Sequence, residues 1–183
     1  AIAGNMADAA AHQAVFSQAV QAIGQWPDAI VNNASLFEPD TGLDFSPDLL
    51  RQQMQVNLVA PLHLATLLAR AVHQAPAGRP APAVVHVLDQ KVFNLNPDYF
   101  SYTLTKLALE RAVALQAQAL APHVRVSAVA PGLVYVSGPQ TGDNFHRAST
   151  VNLLRSPTDP ADVARTAVFL AENASITGIT ITV

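Results

Sequence analysis

Short apolar runs alternate along the chain with longer segments in which apolar residues recur every three or four positions. Runs of the first kind predict buried strands, and segments of the second kind predict amphipathic helices. The predicted strands are the tail of one at 1–4 and whole ones at 28–32, 84–89, 124–129 and 178–183. The predicted helices lie at 8–22, 46–73, 100–121 and 159–172. This alternation predicts an α/β fold in one domain, 1–183, with a parallel sheet between layers of helices.

The long helix at 46–73 has a clear start and a predicted break. Ser46 can cap its first turn through the hydroxyl, and Pro47 fits the first helical position. Pro61 lies inside the helix and is expected to interrupt it, because proline lacks the N–H of the helical hydrogen bond. Turn-forming residues predict loops at 35–45 and 75–82, and an irregular, mobile segment at 133–157.

The composition excludes several function classes. Half of the 183 residues are apolar and 13% are charged, so the chain can bury a core. The formal net charge is −3 and the ten basic residues are dispersed, which argues against nucleic-acid binding. Cysteine is absent and the six histidines show no metal-ligand spacing, so neither a disulfide nor a metal site is predicted. No apolar run reaches the ~20 residues of a membrane helix. We therefore expect a soluble, cytoplasmic protein.

Polar residues and glycine follow three of the predicted strands directly. They are Asn32-Asn33-Ala34-Ser35, Asp89 and Pro131-Gly132. The carboxyl ends of parallel strands meet at one edge of the sheet, where α/β proteins bind ligands. The pattern therefore predicts a small-molecule site at that edge, although strands also end in turn-forming residues for structural reasons alone.

Tyr102 and Lys106 are four positions apart near the start of a predicted helix, so their side chains share one face. A free phenol has a pKa of about 10 and is a poor acid–base catalyst at neutral pH. A neighbouring ammonium group favours the phenolate, so the pair can serve proton transfer. The alternative is an exposed pair on a helix surface, but the chain has only two lysines and three tyrosines.

Four segments together resemble the short-chain dehydrogenase/reductase family. Tyr102-Thr103-Leu104-Thr105-Lys106 is similar to its YxxxK signature, and Asn32-Asn33-Ala34-Ser35 is similar to its NNAG motif. Asn57 falls where the family has a helix asparagine, and Pro131-Gly132 resembles the segment that lines the nicotinamide. The resemblance covers 1–183 and implies a Rossmann-like, doubly wound parallel sheet.

The resemblance also implies the roles of individual residues. Tyr102 would donate the proton, and Lys106 would lower the tyrosine pKa and bind the cofactor ribose. The helix asparagine of the family holds the lysine through a water molecule, and Pro61 frees the main-chain carbonyl of Asn57 from its helical partner. This implies a relay of Tyr102, Lys106, water and Asn57, whereas an ordinary proline kink is the alternative. The implied cofactor contacts are Met6, Asn32, Ala34, Ser35, Lys106, Pro131 and Gly132.

Two departures from the common family pattern resemble the pteridine reductase and dihydromonapterin reductase branch. Asp89 stands in place of the catalytic serine, and Ser35 replaces the glycine of NNAG. Phe37 matches the aromatic residue on which that branch stacks the pterin ring. The implied substrate-binding residues are Ser35, Phe37, Asp89 and Tyr102, and the implied reaction is NADPH-dependent reduction of a dihydropteridine. A reductase of another carbonyl or imine is the alternative.

The glycine-rich turn of dinucleotide-binding folds is not found in this sequence. None of the eight glycines forms GxGxxG, and residue 1 corresponds to the third strand of the family, so the first two strands are missing. A non-catalytic, truncated chain is therefore a third possibility. The family also implies a homo-oligomer, a dimer or tetramer paired through the helices 46–73 and 100–121.

Overall fold

A four-stranded parallel sheet forms the centre of the computed structural model, which describes residues 1–74, 78–138 and 140–183. The strands are adjacent in chain order: β1 (Ala29–Asn32), β2 (Ala83–Val87), β3 (Arg125–Ala130) and β4 (Thr180–Thr182). The register pairs Asn32 with His86, Val87 with Val129, and Ala130 with Thr182. The carboxyl ends of the strands therefore lie along one edge, as the α/β prediction requires.

Helices connect the strands. Their bounds are α1 (Ala9–Ile23), α2 (Pro47–Met54), α3 (Ala60–His73), α4 (Phe100–Leu120), α5 (Gly142–Ser149) and α6 (Pro160–Glu172). A π-helical segment, Gln55–Val59, joins α2 to α3, and a 3₁₀ turn, Gln90–Val92, follows β2. Local capping explains several starts: the side chains of Asp8, Ser46 and Asp159 accept hydrogen bonds from first-turn amides.

Both faces of the sheet are covered, because side chains alternate along each strand. Val84 and Val126 pack in one cluster with Phe16 of α1 and Leu68 of α3. On the opposite face, Val85 and Val129 pack with Ala167 and Leu170 of α6. This confirms the doubly wound arrangement.

The interruption at Pro61 takes the form of the π-helical segment. The N–H of Ala60 donates to the carbonyl of Gln55, five residues back, instead of four. By length and composition, the continuous helix Pro47–His73 could cross a membrane, contrary to the expectation from the length of the apolar runs. In this structure Ala65, Leu67 and Leu68 of this helix are buried in a cluster with Val84 and Val126 of the sheet.

Two predicted elements are wrong and one is only partly described. Residues 1–4 form no strand; Gly4 lies so close to α1 that a Cβ there would come within 2.3 Å of Val15 Cγ2. The segment 133–157 is not wholly irregular, since Thr141 accepts a hydrogen bond from the Asn144 amide and starts α5. Of the predicted loop at 75–82, residues 75–77 lie outside the described residues, and 78–82 contain no helix or strand.

Candidate active site

The three polar strand ends lie at the same edge of the sheet. The Leu88 amide donates to the Val129 carbonyl over 2.8 Å, and the Gln90 amide donates to the Pro131 carbonyl over 2.9 Å. These bonds extend the pairing of β2 and β3 beyond the strands and hold Asp89 beside Pro131. Asn32 ends β1 on the other side of β2. The arrangement predicted from the sequence is thus present.

Tyr102 points from the first turn of α4 to Asp89. Its hydroxyl donates a hydrogen bond to Asp89 Oδ2 over 3.0 Å, while Asp89 Oδ1 accepts from the Lys91 amide over 2.8 Å. Tyr102 is 6% exposed. Burial raises the pKa of Tyr102, and the charge of Asp89 and its hydrogen bond raise it further, against a smaller opposing effect of the nearby Ser35. The expected lowering of this pKa by Lys106 is therefore wrong for this arrangement, because burial and the carboxylate dominate.

Lys106 lies one helical turn after Tyr102, on the same face as predicted. Its ammonium group donates to the Val87 carbonyl over 2.8 Å and lies 5.6 Å from the centroid of the Tyr102 ring. The side chain is buried, and burial lowers the pKa of Lys106 to about 8 against the opposing effect of Asp89. A buried cation with a lowered pKa beside a phenol and a carboxylate is typical of functional sites.

The Asn57 side chain forms hydrogen bonds with both the loop after β1 and α4. Its side-chain Oδ1 accepts from the Leu36 amide over 2.7 Å and from Ser35 Oγ over 3.1 Å. Its Nδ2 donates to the Leu36 carbonyl over 2.9 Å and to Thr105 Oγ1 over 3.1 Å. Because the side chain is committed to these contacts, any relay to Lys106 would pass through the main-chain carbonyl of Asn57. The relay stays a prediction.

Phe37 lies in an aromatic cluster that includes a residue missed by the sequence analysis. It stacks on Tyr99 with ring centroids 3.9 Å apart and planes 8° from parallel. Its ring also meets Tyr102 edge to face, with centroids 4.6 Å apart. Tyr99 covers one face of Phe37, so a stacked substrate ring would use the other face. The available signal was the spacing of Tyr99, three residues before Tyr102.

His86 is a second residue whose role was not predicted. It is fully buried, and its Nδ1 lies 3.2 Å from Asn32 Nδ2 while its Nε2 lies 3.0 Å from Gln116 Oε1. Because the asparagine amide donates and the glutamine oxygen accepts, the proton belongs on Nε2. Burial lowers the pKa of His86 to about 4, so the ring is neutral at pH 7. His86 therefore fixes Asn32 at the end of β1 and is more than a strand filler.

The remaining predicted cofactor residues lie in the loop after β1, directly after β3 and before α1. Ala34 and Ser35 are exposed in the loop after β1. The Gly132 amide donates to the Val183 carbonyl over 2.8 Å, and a Cβ at Gly132 would come within 2.7 Å of Thr158 Oγ1. Met6 is half-buried before α1, and its carbonyl is 2.9 Å from His12 Nε2. No hydrogen bond joins Met6 to Tyr102 or Lys106 in the part of the chain that the structure describes.

Comparison with known proteins decides the family. The profile of a family described as enoyl-(acyl carrier protein) reductase matches residues 1–183, the whole chain. The chain belongs to the short-chain dehydrogenase/reductase family. The resemblance drawn from Tyr102, Lys106, Asn57 and the two loop motifs is thereby confirmed at the level of the family.

Two curated proteins are similar to this chain. 2-Dehydro-3-deoxy-D-gluconate 5-dehydrogenase from Dickeya dadantii is 28% identical over 187 residues, which cover 98% of this chain and 72% of that protein. Dihydromonapterin reductase from Escherichia coli is 26% identical over 153 residues, which cover 82% of this chain and 62% of that protein. The chain thus spans less than two thirds of the length of the second relative.

Solved structures support the same assignment. FolM alternative dihydrofolate reductase 1 from Brucella canis, complexed with NADP, is 34% identical and has a TM-score of 0.89. The match covers 99% of this chain and 70% of that one. The protein of the same name from Brucella suis, also in complex with NADP, is 34% identical with a TM-score of 0.90. The four-stranded sheet is therefore a shortened form of the family fold.

Proposed function

We propose that this chain is the catalytic portion of an NADPH-dependent reductase that converts a dihydropteridine to a tetrahydropteridine. The observation that carries the proposal is the hydrogen bond of 3.0 Å from the Tyr102 hydroxyl to Asp89. Asp89 occupies the position at which the family commonly has serine. A carboxylate at that place would repel the alkoxide formed during ketone reduction. The Asp89 carboxylate instead suits reduction at a ring C=N bond, because the ring nitrogen needs a proton when the adjacent carbon accepts hydride.

The residues of this chain then have distinct roles. Tyr102 gives its proton to the ring nitrogen, and Asp89, which holds that hydroxyl, stabilises the hydrogen-bonded arrangement before transfer. The second face of Phe37 stacks the flat ring, and the exposed Ser35 contacts the substrate or a cofactor phosphate. When bound, the reduced nicotinamide supplies the hydride to the carbon of the C=N bond.

The residues at the sheet edge fit a nicotinamide nucleotide. The Val87 carbonyl takes one of the three N–H donors of Lys106, which leaves donors for the ribose hydroxyls. Pro131 and Gly132, the latter packed closely against Thr158, would line the nicotinamide. Met6 would border the adenine. The NADP complexes of the two Brucella proteins support NADPH over NADH.

We further propose a cytoplasmic homo-oligomer, a dimer or tetramer, that acts on small molecules. Leu104 and Leu115 of α4 and Val59 of the π-helical segment leave apolar side chains exposed. Pairing of α2–α3 and α4 with the same helices of a second copy would bury these side chains.

A reductase of another carbonyl or imine is the second candidate, favoured by the similarity to a 2-dehydro-3-deoxy-D-gluconate 5-dehydrogenase. Assays of the full-length protein with NADPH separate the two. We expect turnover of dihydrobiopterin or dihydromonapterin, and little turnover of plain ketones or of 2-dehydro-3-deoxy-D-gluconate. We expect the Phe37→Leu variant to raise the KM for the dihydropterin at least about tenfold through loss of ring stacking.

Phe169→Leu is the matched control for that variant. Phe169 lies in α6, outside the loop 35–45, and is 48% exposed. A dihydropterin KM that rises equally in both variants would contradict a stacking role for Phe37. Turnover of sugar acids or ketones without turnover of any dihydropterin would support the second candidate. If NADPH titrates only very weakly and no substrate turns over, the non-catalytic alternative gains support.

The role of Asp89 is tested by Asp89→Ser, which restores the common residue of the family. We expect the dihydropterin kcat to fall about 100-fold, because the carboxylate that orients the Tyr102 proton is lost. Asp98→Ser is the control, since Asp98 is an exposed carboxylate of the loop before α4. Steady-state kinetics on both variants decide: a kcat of Asp89→Ser equal to that of the control would rule out this role.

A further inference from the structure

The start of α4 is capped by a residue far away in the sequence. Tyr99 precedes the helix with φ of 57° and provides no side-chain cap. Asp40 provides it instead: its carbonyl accepts from the Phe100 amide over 3.1 Å, and its Oδ1 accepts from the Ser101 amide over 2.9 Å. Its Oδ2 also accepts from Ser101 Oγ. Asp40 is 5% exposed. Its buried carboxylate accepts from two donors of Ser101, and its main-chain carbonyl accepts from a third donor, the Phe100 amide.

The capping contact is one of several that join the loop 35–45 to the first turn of α4. Phe37 stacks on Tyr99, and Phe45 meets Phe100 edge to face. Asp40 lies between these two aromatic contacts and supplies the hydrogen bonds. The loop therefore carries the proposed ring-stacking residue, and the helical turn to which Asp40 binds carries Tyr102.

We propose that Asp40 is a positioning residue that sets the Tyr102 hydroxyl relative to the stacking face of Phe37. This proposal rests on the proposed function for the reaction itself. Asp40 is buried and its carboxylate binds Ser101, so it would act through this neighbour of Tyr102. Geometry at the reacting atoms is sensitive, since a displacement of about 1 Å can cost about 100-fold in rate. Loss of the cap would allow the first turn of α4 to move. The Tyr102 hydroxyl would then no longer be held in place relative to the stacking face of Phe37.

Three variants of the full-length protein test the proposal. Asp40→Ala removes the side-chain acceptors, Ser101→Ala removes only the hydroxyl donor, and Asp40→Asn keeps an oxygen that can accept from the Ser101 amide. Asp159→Ala is the control, because Asp159 caps α6 by accepting from the Ala161 amide over 2.8 Å. For each variant, kcat, KM and the pH profile with dihydropterin are measured at a fixed interval below its Tm.

We expect Asp40→Ala to lower kcat about 10- to 100-fold, with the NADPH KM changed less than about twofold. Its pH profile should shift, because the Tyr102–Asp89 contact changes. Asp40→Asn should recover most of kcat, and Asp159→Ala should lower Tm while kcat stays unchanged. If Asp40→Ala lowers Tm but keeps kcat and the pH profile, the proposal is wrong. Should Asp40→Ala fail to fold, Ser101→Ala decides: a kcat lowered at least about threefold supports the proposal, and an unchanged kcat overturns it.

Hydrogen exchange separates this proposal from the proposed function. The amides of Phe100 and Ser101 should exchange faster in Asp40→Ala than in the parent protein, whatever substrate the enzyme takes. The near-ultraviolet circular dichroism of the Phe37–Tyr99 stack should weaken in the same variant. Unchanged exchange and an unchanged spectrum would overturn the positioning role even if dihydropterin is the substrate. Both changes without any dihydropterin turnover would contradict the proposed substrate, and the kcat of Asp40→Ala with the substrate that is turned over would then decide the positioning role.

Discussion

Replacing Tyr102 by phenylalanine is expected to lower kcat by about two to four orders of magnitude, the usual contribution of a positioned proton donor. The substitution removes the hydroxyl that donates to Asp89 and keeps the ring that meets Phe37 edge to face. The cluster of aromatic rings should therefore survive. Because binding surfaces are retained, the effect should fall on kcat, with KM for the dihydropterin and for NADPH changed only slightly. Steady-state kinetics with both substrates provide the measurement.

Tyr135→Phe is the matched control for this experiment. Tyr135 is 70% exposed, so loss of its hydroxyl should leave kcat and Tm unchanged. Removal of the Tyr102 hydroxyl should also leave Asp89 without its phenol donor, so Tm is expected to fall slightly. Near-normal turnover by Tyr102→Phe would contradict the assignment of Tyr102 as proton donor, and with it the proposed mechanism.

The fold could be predicted from the sequence because its signals are local. The apolar run at 84–89 and the run at 124–129 indicate buried strands, and the structure has β2 and β3 there. Capping residues such as Asp8 and Asp159 act within two residues of the amides that they bind. The strand tail predicted at 1–4 failed for the opposite reason. A strand depends on a partner elsewhere, which local pattern does not specify.

The candidate site was predictable only in part, since much of its chemistry depends on contacts between distant residues. The spacing of Tyr102 and Lys106 indicated a shared face. Nothing local indicated that Asp40 caps α4 across 61 positions, or that His86 is bound by Asn32 across 54. The predicted lowering of the Tyr102 pKa was wrong because this pKa too depends on contacts between distant residues. Burial and the geometry of Asp89 decide it, and neither can be derived from a four-residue spacing.

Replacing Lys106 by methionine is expected to have the second large effect, on both activity and stability. Methionine fills a similar volume but offers no N–H to the Val87 carbonyl or to a cofactor ribose. We expect kcat/KM for NADPH to fall about 100-fold or more, because a buried charged donor is lost. In the parent protein the ammonium form is lost as pH rises through about 8. Activity that depends on the charged lysine should therefore decline above that pH.

The same titration gives a signature in stability. Lys106 binds its proton less tightly in the folded protein, with a pKa of about 8, than at its usual value of 10.5. Between these values the unfolded chain binds more protons, so the free energy of unfolding rises with pH. The contribution from pH 7 to 9.5 should be roughly 2 kcal/mol. Lys106→Met should lack this rise, as urea denaturation at the two pH values would reveal.

Lys91→Met, the same substitution at the only other lysine, is the control for both effects. Lys91 donates to the exposed Asp98 carbonyl over 3.4 Å and its ammonium lies 5.8 Å from the centroid of the Tyr99 ring, and loss of these contacts should leave kcat/KM for NADPH nearly unchanged. If Lys106→Met kept the activity of this control, Lys106 would have no part in cofactor binding or proton transfer. If the free energy of unfolding of Lys106→Met still rose between pH 7 and 9.5, a group other than Lys106 would have to titrate in that range. The lowered pKa of Lys106 would then be contradicted.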